Sequence, residues 1–308
     1  MKSAIFLSYK GLGSNLLHLS YCHQISKKFG PITLITLNNR VKDILKFDPN
    51  FNEIIHLNKF YKKTTDIFNL AKFFKNLKLD QIFIFYPSPR YYTSAKIAGI
   101  KNIFHYPLFK KKNLHLVKAA KKFIEKTINI NNCPTETKIF VDEQNLNIKK
   151  INNFKSIILG IGSSGPTTKW GYDKYASLIN NLNKKYNLNF YLLCGIDENN
   201  NAEKIVNSIS KKNVFSLGKK NIEQVLHYIN LSDLYIGNDS FGHHISSQLG
   251  KPSFILLLDS PKAYSDYSVN QYRIIPEGYH IDKITHNTNA NPDLITEEMI
   301  IKKIENFI

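Results

Sequence analysis

Short apolar runs alternate along the chain with longer stretches whose apolar positions recur every three or four residues. Ala4 to Leu7, Ile32 to Leu37, Glu53 to Leu57, Gln81 to Phe85 and Asn102 to His105 read as strands. Between them, residues 14–28, 64–78 and about 113–128 read as helices. In the first of these, Leu16, Leu17, His18, Leu19, Ile25 and Phe29 fall near one face, and Pro31 stops the helix. Residues 129–153 are polar, carry Pro134 and break the rhythm, as an interdomain linker would. The alternation then restarts with strands at 156–160, 190–194, 214–217, 234–237 and 254–258. Helices are predicted at 172–186, 198–210, 221–231 and 242–249. The last piece, DLITEEMIIKKIENFI, is an amphipathic helix with Glu297 and Glu298 near its start, where acid suits the helix dipole. Strands separated by helices imply parallel sheets covered on both faces, hence an α/β fold of two doubly wound halves.

Length agrees, since 308 residues suit two domains at roughly 100–200 residues each. The expected domains are 1–150 and 151–290, followed by a closing helical segment, 291–308. No apolar run reaches the ~18 residues of a membrane span. The opening MKSAIFLSYKGLG lacks a long apolar core and a small-residue cleavage site, so it reads as the first strand rather than a signal peptide. Cys22, Cys133 and Cys194 are isolated, which points to neither a zinc site nor a disulfide framework and fits a reducing cytoplasm.

Charge adds a partner question. Forty-two basic residues against 24 acidic leave a net charge of +18. That is either compositional bias on a solvated surface or a match to an anionic partner. Basic runs such as Phe109-Lys110-Lys111-Lys112 suit peripheral contact with an anionic inner-membrane face. No helix-turn-helix, zinc-finger or RNA-binding signature appears, so no nucleic acid is expected.

Ligands of doubly wound sheets bind beyond the carboxyl ends of strands, and four such places are rich in chemistry. The first is Lys10-Gly11-Leu12-Gly13-Ser14-Asn15-Leu16. It is either a tight turn capped by Ser14 or a backbone cradle at a helix start. The second, Gly160 to Trp170, collects glycine amides, Ser163, Thr167, Thr168 and Lys169, a set suited to a diphosphate. The third, Cys194-Gly195-Ile196-Asp197-Glu198, places an acid where ribose hydroxyls could be held, although Glu198 also suits a helix start. The fourth, GNDSFGHHISSQLGKP, brings Asp239, Ser240 and two histidines to a helix that begins near Gly242. Adjacent histidines diverge on a helix, and without an acidic cluster no metal is expected there.

In order and spacing these motifs resemble glycosyltransferase family nine, the heptosyltransferases of lipopolysaccharide core assembly. The matching stretches are GLGSNLLHLS, GSSGPTTKWGYDKYASLI, CGIDE and GNDSFGHHISSQLGKP, with SPKAYSDYSVNQYRII similar to the family's aromatic segment before a strand. The resemblance implies a GT-B fold, two Rossmann-like domains facing across a cleft, with the closing helix crossing back to the first domain. It implies a nucleotide-sugar donor on the C-terminal half, an ADP-linked sugar being favoured, and an acceptor on the N-terminal half. The chemistry implied is inverting and metal-independent, with no cofactor. The donor set is Ser163, Thr167, Thr168, Lys169, Glu198, Asp239, Ser240, Gly242 and His244, with His244 rather than His243 assigned to the cleft; Gly11, Gly13, Ser14 and Asn15 fall on the acceptor side.

Two positions depart from the pattern. Ser14 stands where the family carries its general-base aspartate, and Phe241 replaces a glycine. General-base help is typically worth about 10²–10⁴-fold. His18 lies one helical turn on and is an alternative proton acceptor. Alternatively, an acceptor carboxylate or phosphate takes the proton, or the chain binds without catalysing. Four readings follow. The leading one is a cytoplasmic, peripherally membrane-associated glycosyltransferase acting on a lipid-linked or oligosaccharide acceptor. The others are a sugar-nucleotide epimerase or hydrolase, a non-catalytic nucleotide-sugar or glycan-binding protein, and, last, a nucleic-acid binder.

Overall fold

The computed structural model describes residues 1–58, 63–107, 115–142 and 154–308. They fall into two compact units, Met1–Phe140 and Val141–Ile308. The expected boundary at 150/151 and the basic run at 109–112 lie outside the described residues.

The first unit runs β1 (Ser3–Leu7), α1 (Leu12–Leu17), α2 (Leu19–Phe29), β2 (Ile32–Thr36), α3 (Arg40–Ile44), β3 (Phe51–His56), α4 (Asp66–Leu77), β4 (Gln81–Ile84), α5 (Pro89–Ile97), β5 (Asn102–His105) and α6 (Leu116–Ile128). Its five strands are all parallel, in the order β3-β2-β1-β4-β5. Ile5 of β1 pairs Leu34 on one side and Phe83 on the other, which makes β1 and β4 the point where the order reverses. The central strands carry no exposed position, the signature of a sheet covered on both faces.

The second unit repeats the plan with β6 (Lys155–Gly160), α7 (Tyr172–Asn183), β7 (Leu188–Leu193), α8 (Asn199–Ser208), β8 (Val214–Ser216), α9 (Ile222–Leu231), β9 (Leu234–Asn238), α10 (Phe241–Gln248), β10 (Ser253–Leu256), β11 (Gln271–Ile274) and α11 (Glu297–Ile304). Its strands are parallel in the order β11-β10-β9-β6-β7-β8, with the reversal between β6 and β9. There Gly160 pairs Gly237. A Cβ on Gly237 would meet Gly160 backbone at 2.5 Å, and one on Gly160 would overlap the Tyr235 ring. Two glycines are therefore required at this crossing point.

Several expectations are corrected. The single helix at 14–28 is two helices meeting at His18. The cause is local. His18 Nδ1 donates to the Ser14 carbonyl at 2.6 Å, the acceptor a regular helix would offer to the His18 N–H. That N–H turns instead to the Asn15 carbonyl at 3.1 Å. The supposed linker is not free up to Phe140 either. Ser20 Oγ donates to the Pro134 carbonyl at 2.7 Å, His23 Nδ1 bonds Thr137 Oγ1 at 2.5 Å, and Cys133 and Ile139 are buried. These contacts fasten residues 133–139 to α2. In the closing segment, Ile295, Ile300 and Ile304 lie in the second unit's core with Trp170, Leu178 and Phe254. Helices α3 and α5 and strand β11 extend the set read from periodicity.

Candidate functional site

At the carboxyl edge of the second sheet, four loops are stitched together by side chains. The loop after β6 is central. Ser163 Oγ pairs with Thr168 Oγ1 at 2.5 Å and reaches the Asp239 carbonyl, beyond β9, at 3.4 Å. Thr167 Oγ1 donates to Asp259 Oδ2, beyond β10, at 2.6 Å. Lys169 Nζ lies 2.5 Å from Glu198 Oε1, beyond β7. Ser163, Thr168, Lys169 and Glu198 are half-buried and Thr167 is exposed. The edge of the sheet at the β6/β9 reversal thus gathers hydroxyls, an ammonium and carboxylates, where such sheets take their ligands.

A buried frame holds this edge. Asn238 Oδ1 accepts from the Trp170 backbone N–H at 2.9 Å and from Tyr175 Oη at 3.1 Å, while its Nδ2 donates to the Ile161 carbonyl at 2.8 Å. The Trp170 indole N–H donates to the Ile295 carbonyl at 2.8 Å. The loop bearing Lys169 is therefore pinned at its far end to β9 and to the segment before α11.

Glu198 is bound from three sides. Besides Lys169, Tyr172 Oη donates to Oε1 at 3.3 Å and the Gly195 N–H to Oε2 at 3.2 Å. Gly162 makes room for it: a Cβ there would overlap Oε2 and lie 2.9 Å from Cys194 Cα. The hydrogen bond and charge of Glu198, opposed by partial desolvation, raise the Lys169 ammonium above its usual range, so Lys169 is a fixed cation. Burial alone would push the Asp259 carboxyl up, but Thr167 and the N–H groups of Asn289 and Thr288 outweigh it and hold the group low.

The Asp239 end differs from the assignment made by motif. Asp239 Oδ1 is bound by His243 Nε2 at 2.6 Å, one turn along α10. The adjacent histidines do not diverge as expected: their ring centroids lie 3.9 Å apart, and His244 places its Nδ1 2.7 Å from Tyr267 Oη with its ring stacked on Tyr267. Both imidazoles are buried. Burial lowers His244 well below the usual histidine range, so its ring is neutral. Burial also opposes charge on Asp239, but the hydrogen bonds from His243 and Ser260 keep the carboxyl below its ordinary value. One donor atom from each of Asp239, His243 and His244 lies within 4.8 Å of the others. Two of its contacts, His243 to Asp239 and His244 to Tyr267, are internal hydrogen bonds rather than open ligand positions.

Two motif residues have structural uses. Gly242 sits where a Cβ would meet Leu193 Cδ2 at 2.6 Å and Tyr235 Cε2 at 2.7 Å, so it lets the start of α10 pack on the sheet. Ser240 is the N-cap of α10, yet its side chain does not cap the helix; its Oγ lies 3.3 Å from Tyr235 Oη. The first amides of α10 are left for other acceptors.

The acceptor-side residues surround the turn after β1. Asn15 is buried and fully engaged: Nδ2 donates to the Tyr9 and Gly11 carbonyls at 2.9 and 2.8 Å, and Oδ1 accepts from Thr36 Oγ1 at 2.8 Å. The turn is therefore held by asparagine. Gly11 has φ −68° and ψ 132°, a backbone open to any residue, and space for a Cβ. Gly13 and Ser14 are half-buried. His18 is fully buried, and its second nitrogen, Nε2, lies 3.1 Å from Tyr106 Oη. Burial, only partly offset by the bond to Ser14, lowers its pKa to about 4. A neutral imidazole is present as expected, but both nitrogens are occupied inside the fold, so the structure makes His18 a packing residue rather than a proton acceptor for a bound substrate. Sequence reading missed His243, Asp259 and Tyr267. For His243, the spacing of four from Asp239 was the available signal.

Comparisons agree with this picture. The model of glycosyltransferase family 9 (heptosyltransferase) matches residues 98–275. Lipopolysaccharide heptosyltransferase 1 of Campylobacter coli is 26% identical over 159 residues, which are 50% of this chain and 46% of that protein. The chain thus matches about half the length of this curated relative. The E. coli ADP-heptose lps heptosyltransferase II superposes with a TM-score of 0.76 at 15% identity, covering 100% of this chain and 98% of that one. The glycosyl transferase family 9 structure from Veillonella parvula superposes at 0.75 with 18% identity, covering 99% and 97%. At such identities the likeness speaks for the fold, and it is the GT-B class of two Rossmann-like α/β halves.

Proposed function

The chain belongs to glycosyltransferase family 9, and from that premise we propose that it moves a heptose or related sugar from a nucleoside diphosphate to a lipopolysaccharide or other cell-surface glycan acceptor. One observation carries the donor half of this reading: the loop after β6 is tied by Ser163 to Asp239, by Thr167 to Asp259 and by Lys169 to Glu198, at the strand-order reversal of the second sheet. An adenosine diphosphate sugar is the favoured donor, by analogy with the ADP-heptose in the name of the E. coli relative.

In the proposed reaction the acceptor hydroxyl oxygen attacks the anomeric carbon as the bond from that carbon to the diphosphate oxygen breaks, with inversion. The diphosphate leaves with the electron pair. Lys169 and the uncapped amides of α10 neutralise the growing charge, and Glu198 accepts from the ribose hydroxyls. Lys169 and Glu198 must loosen their mutual ion pair to do so. No metal or cofactor enters this scheme. The hydroxyl proton needs an acceptor, and the turn after β1 offers Ser14 where a carboxylate is expected. With His18 engaged internally, the proton goes to an anionic group of the acceptor or to solvent. The net charge of +18 favours an anionic acceptor of that kind at an acidic membrane face. No helix among the described residues is long and apolar enough to cross a membrane.

Ser14 also supports a second reading, a nucleotide-sugar binder with little or no transfer. A thermal-shift screen with ADP, GDP, UDP and CMP sugars tests the common element. Binding only the native state at a hundredfold excess over Kd adds about 2.7 kcal/mol, so a shift with one nucleotide alone is the expected result. A shift with none rejects both readings. Product formation with lipopolysaccharide core acceptors then separates enzyme from binder.

A further inference from the structure

We propose that His243 is a positioning residue for Asp239, held in its Nε2–H form by a hydrogen-bond chain that starts in the turn before β11. This rests on the reading that Asp239 meets the donor sugar. The chain can be followed atom by atom. The backbone N–H groups of Tyr267 and Ser268 both donate to Gln271 Oε1 at 3.2 Å. With its oxygen fixed there, the Gln271 amide turns its nitrogen to His243 Nδ1, 3.4 Å away. An amide nitrogen only donates, so Nδ1 accepts and the ring proton sits on Nε2. That proton is donated to Asp239 Oδ1 at 2.6 Å.

Among the described residues, Asp239 and Gln271 are the hydrogen-bond partners of the ring. His243 is fully buried and Gln271 nearly so. The groups facing the imidazole are Asp239 on its own turn, the neutral His244 with its ring centroid 3.9 Å away, and Tyr235 of β9, whose ring centroid lies at 6.5 Å. The Asp239 side chain keeps 11% of its surface exposed while His243 keeps none, so Asp239 is the end of the chain that reaches the site. The consequence is a carboxylate that is always ionised, fixed in rotation and accepting only. Such a group suits sugar hydroxyls, which donate to it. The aromatic segment before β11, which the motifs left without a role, thereby sets the geometry at the far side of the site.

The first test is the tautomer of His243 in the wild-type chain, read from long-range ¹⁵N–¹H correlations and assigned by loss of the signal in His243→Gln. A protonated Nε2 and bare Nδ1 are expected at pH 7. The second test compares ADP with ADP-heptose binding. His243→Ala is expected to keep ADP affinity within about twofold and to weaken ADP-heptose by about 10–100-fold, the range for one charge-assisted hydrogen bond. His243→Gln, whose amide N–H can replace Nε2–H, should recover most of that loss. A protonated Nδ1, or equal loss of both ligands in His243→Ala without recovery in His243→Gln, overturns the proposal. So does displacement of the Nε2 proton by Zn²⁺ at micromolar concentration, which would mark a metal site instead. If wild type binds neither ligand, the donor reading fails while the tautomer result still decides the chain itself.

Discussion

Lys169 and Glu198 hold each other at 2.5 Å across the edge of the second sheet. A ligand bearing both a diphosphate and a ribose has to draw them apart, so the two substitutions should differ. Lys169→Ala removes the cation and should weaken ADP binding about 10–150-fold, at roughly 1.5–3 kcal/mol for a hydrogen bond to a charged group. Glu198→Gln releases the ammonium while keeping a polar partner for ribose, so its effect should be smaller. Calorimetric titration with ADP checks the order. Equal losses would show that the pair acts only as a structural unit.

Gly162 offers a test of position without a change of charge. Its missing Cβ leaves the space filled by Glu198 Oε2 and the Cys194 backbone. Gly162→Ala should push Glu198 aside, weaken ADP at least tenfold and lower stability by about 1–3 kcal/mol, the range for an overpacked site. Urea unfolding and ADP titration of the same preparation separate the two effects.

Ser14→Asp restores a carboxylate at the turn after β1. If the rest of the site is competent, the transfer rate should rise, with an upper range of about 10²–10⁴-fold. ADP affinity should stay unchanged, because Ser14 lies in α1 of the first unit and the proposed ADP site is in the second. A flat rate across several acceptors would favour the binding-only reading.

The buried His18 predicts acid sensitivity of definite sign. Its folded pKa, about 4, lies below the 6.5 of a free histidine. The unfolded chain therefore takes up a proton first as pH falls, so stability is lost between about 6.5 and 4 and is complete above that window. The share from this one group is about 2 kcal/mol between pH 7 and pH 5. In His18→Gln that share should vanish, and the fall in Tm over the same interval should be smaller. His244 and the carboxylates of Asp239 and Asp259 shift in the same direction, so some acid loss should persist.

The closing helix gives a second packing test. Ile304 is fully buried in the second unit's core. Ile304→Ala should cost about 2–5 kcal/mol, read as an earlier urea midpoint.

Much of this was written in periodicity. Central strands such as Ile5–Phe6–Leu7 and Phe190–Tyr191–Leu192–Leu193 are continuous apolar runs, and their helices carry clear apolar stripes, so the α/β alternation could be read. Other features lie in groups that periodicity does not see. α5 opens on Pro89 and holds Tyr91, Tyr92 and Thr93, residues that favour strands. The break at His18 depends on one side chain taking a backbone acceptor. The loop residues after β6, β7 and β9 were visible as unusual clusters of Gly, Ser, Thr and acid, but their partners were not. Asp259 meets Thr167 across 92 positions of sequence. His243 was set aside because its neighbour matched the motif, although its spacing from Asp239 suits a helical pair.

The pinning of Trp170 has a practical consequence. It is the chain's single tryptophan, its indole is fully enclosed with its N–H on the Ile295 carbonyl, and Tyr175 meets it edge-on at 4.9 Å. The adjoining residue is Lys169. Native emission should be blue-shifted and free of any second fluorophore of its kind. If nucleotide binding draws Lys169 away from Glu198, the emission should change at this one place, so an ADP titration followed by tryptophan fluorescence needs no dye.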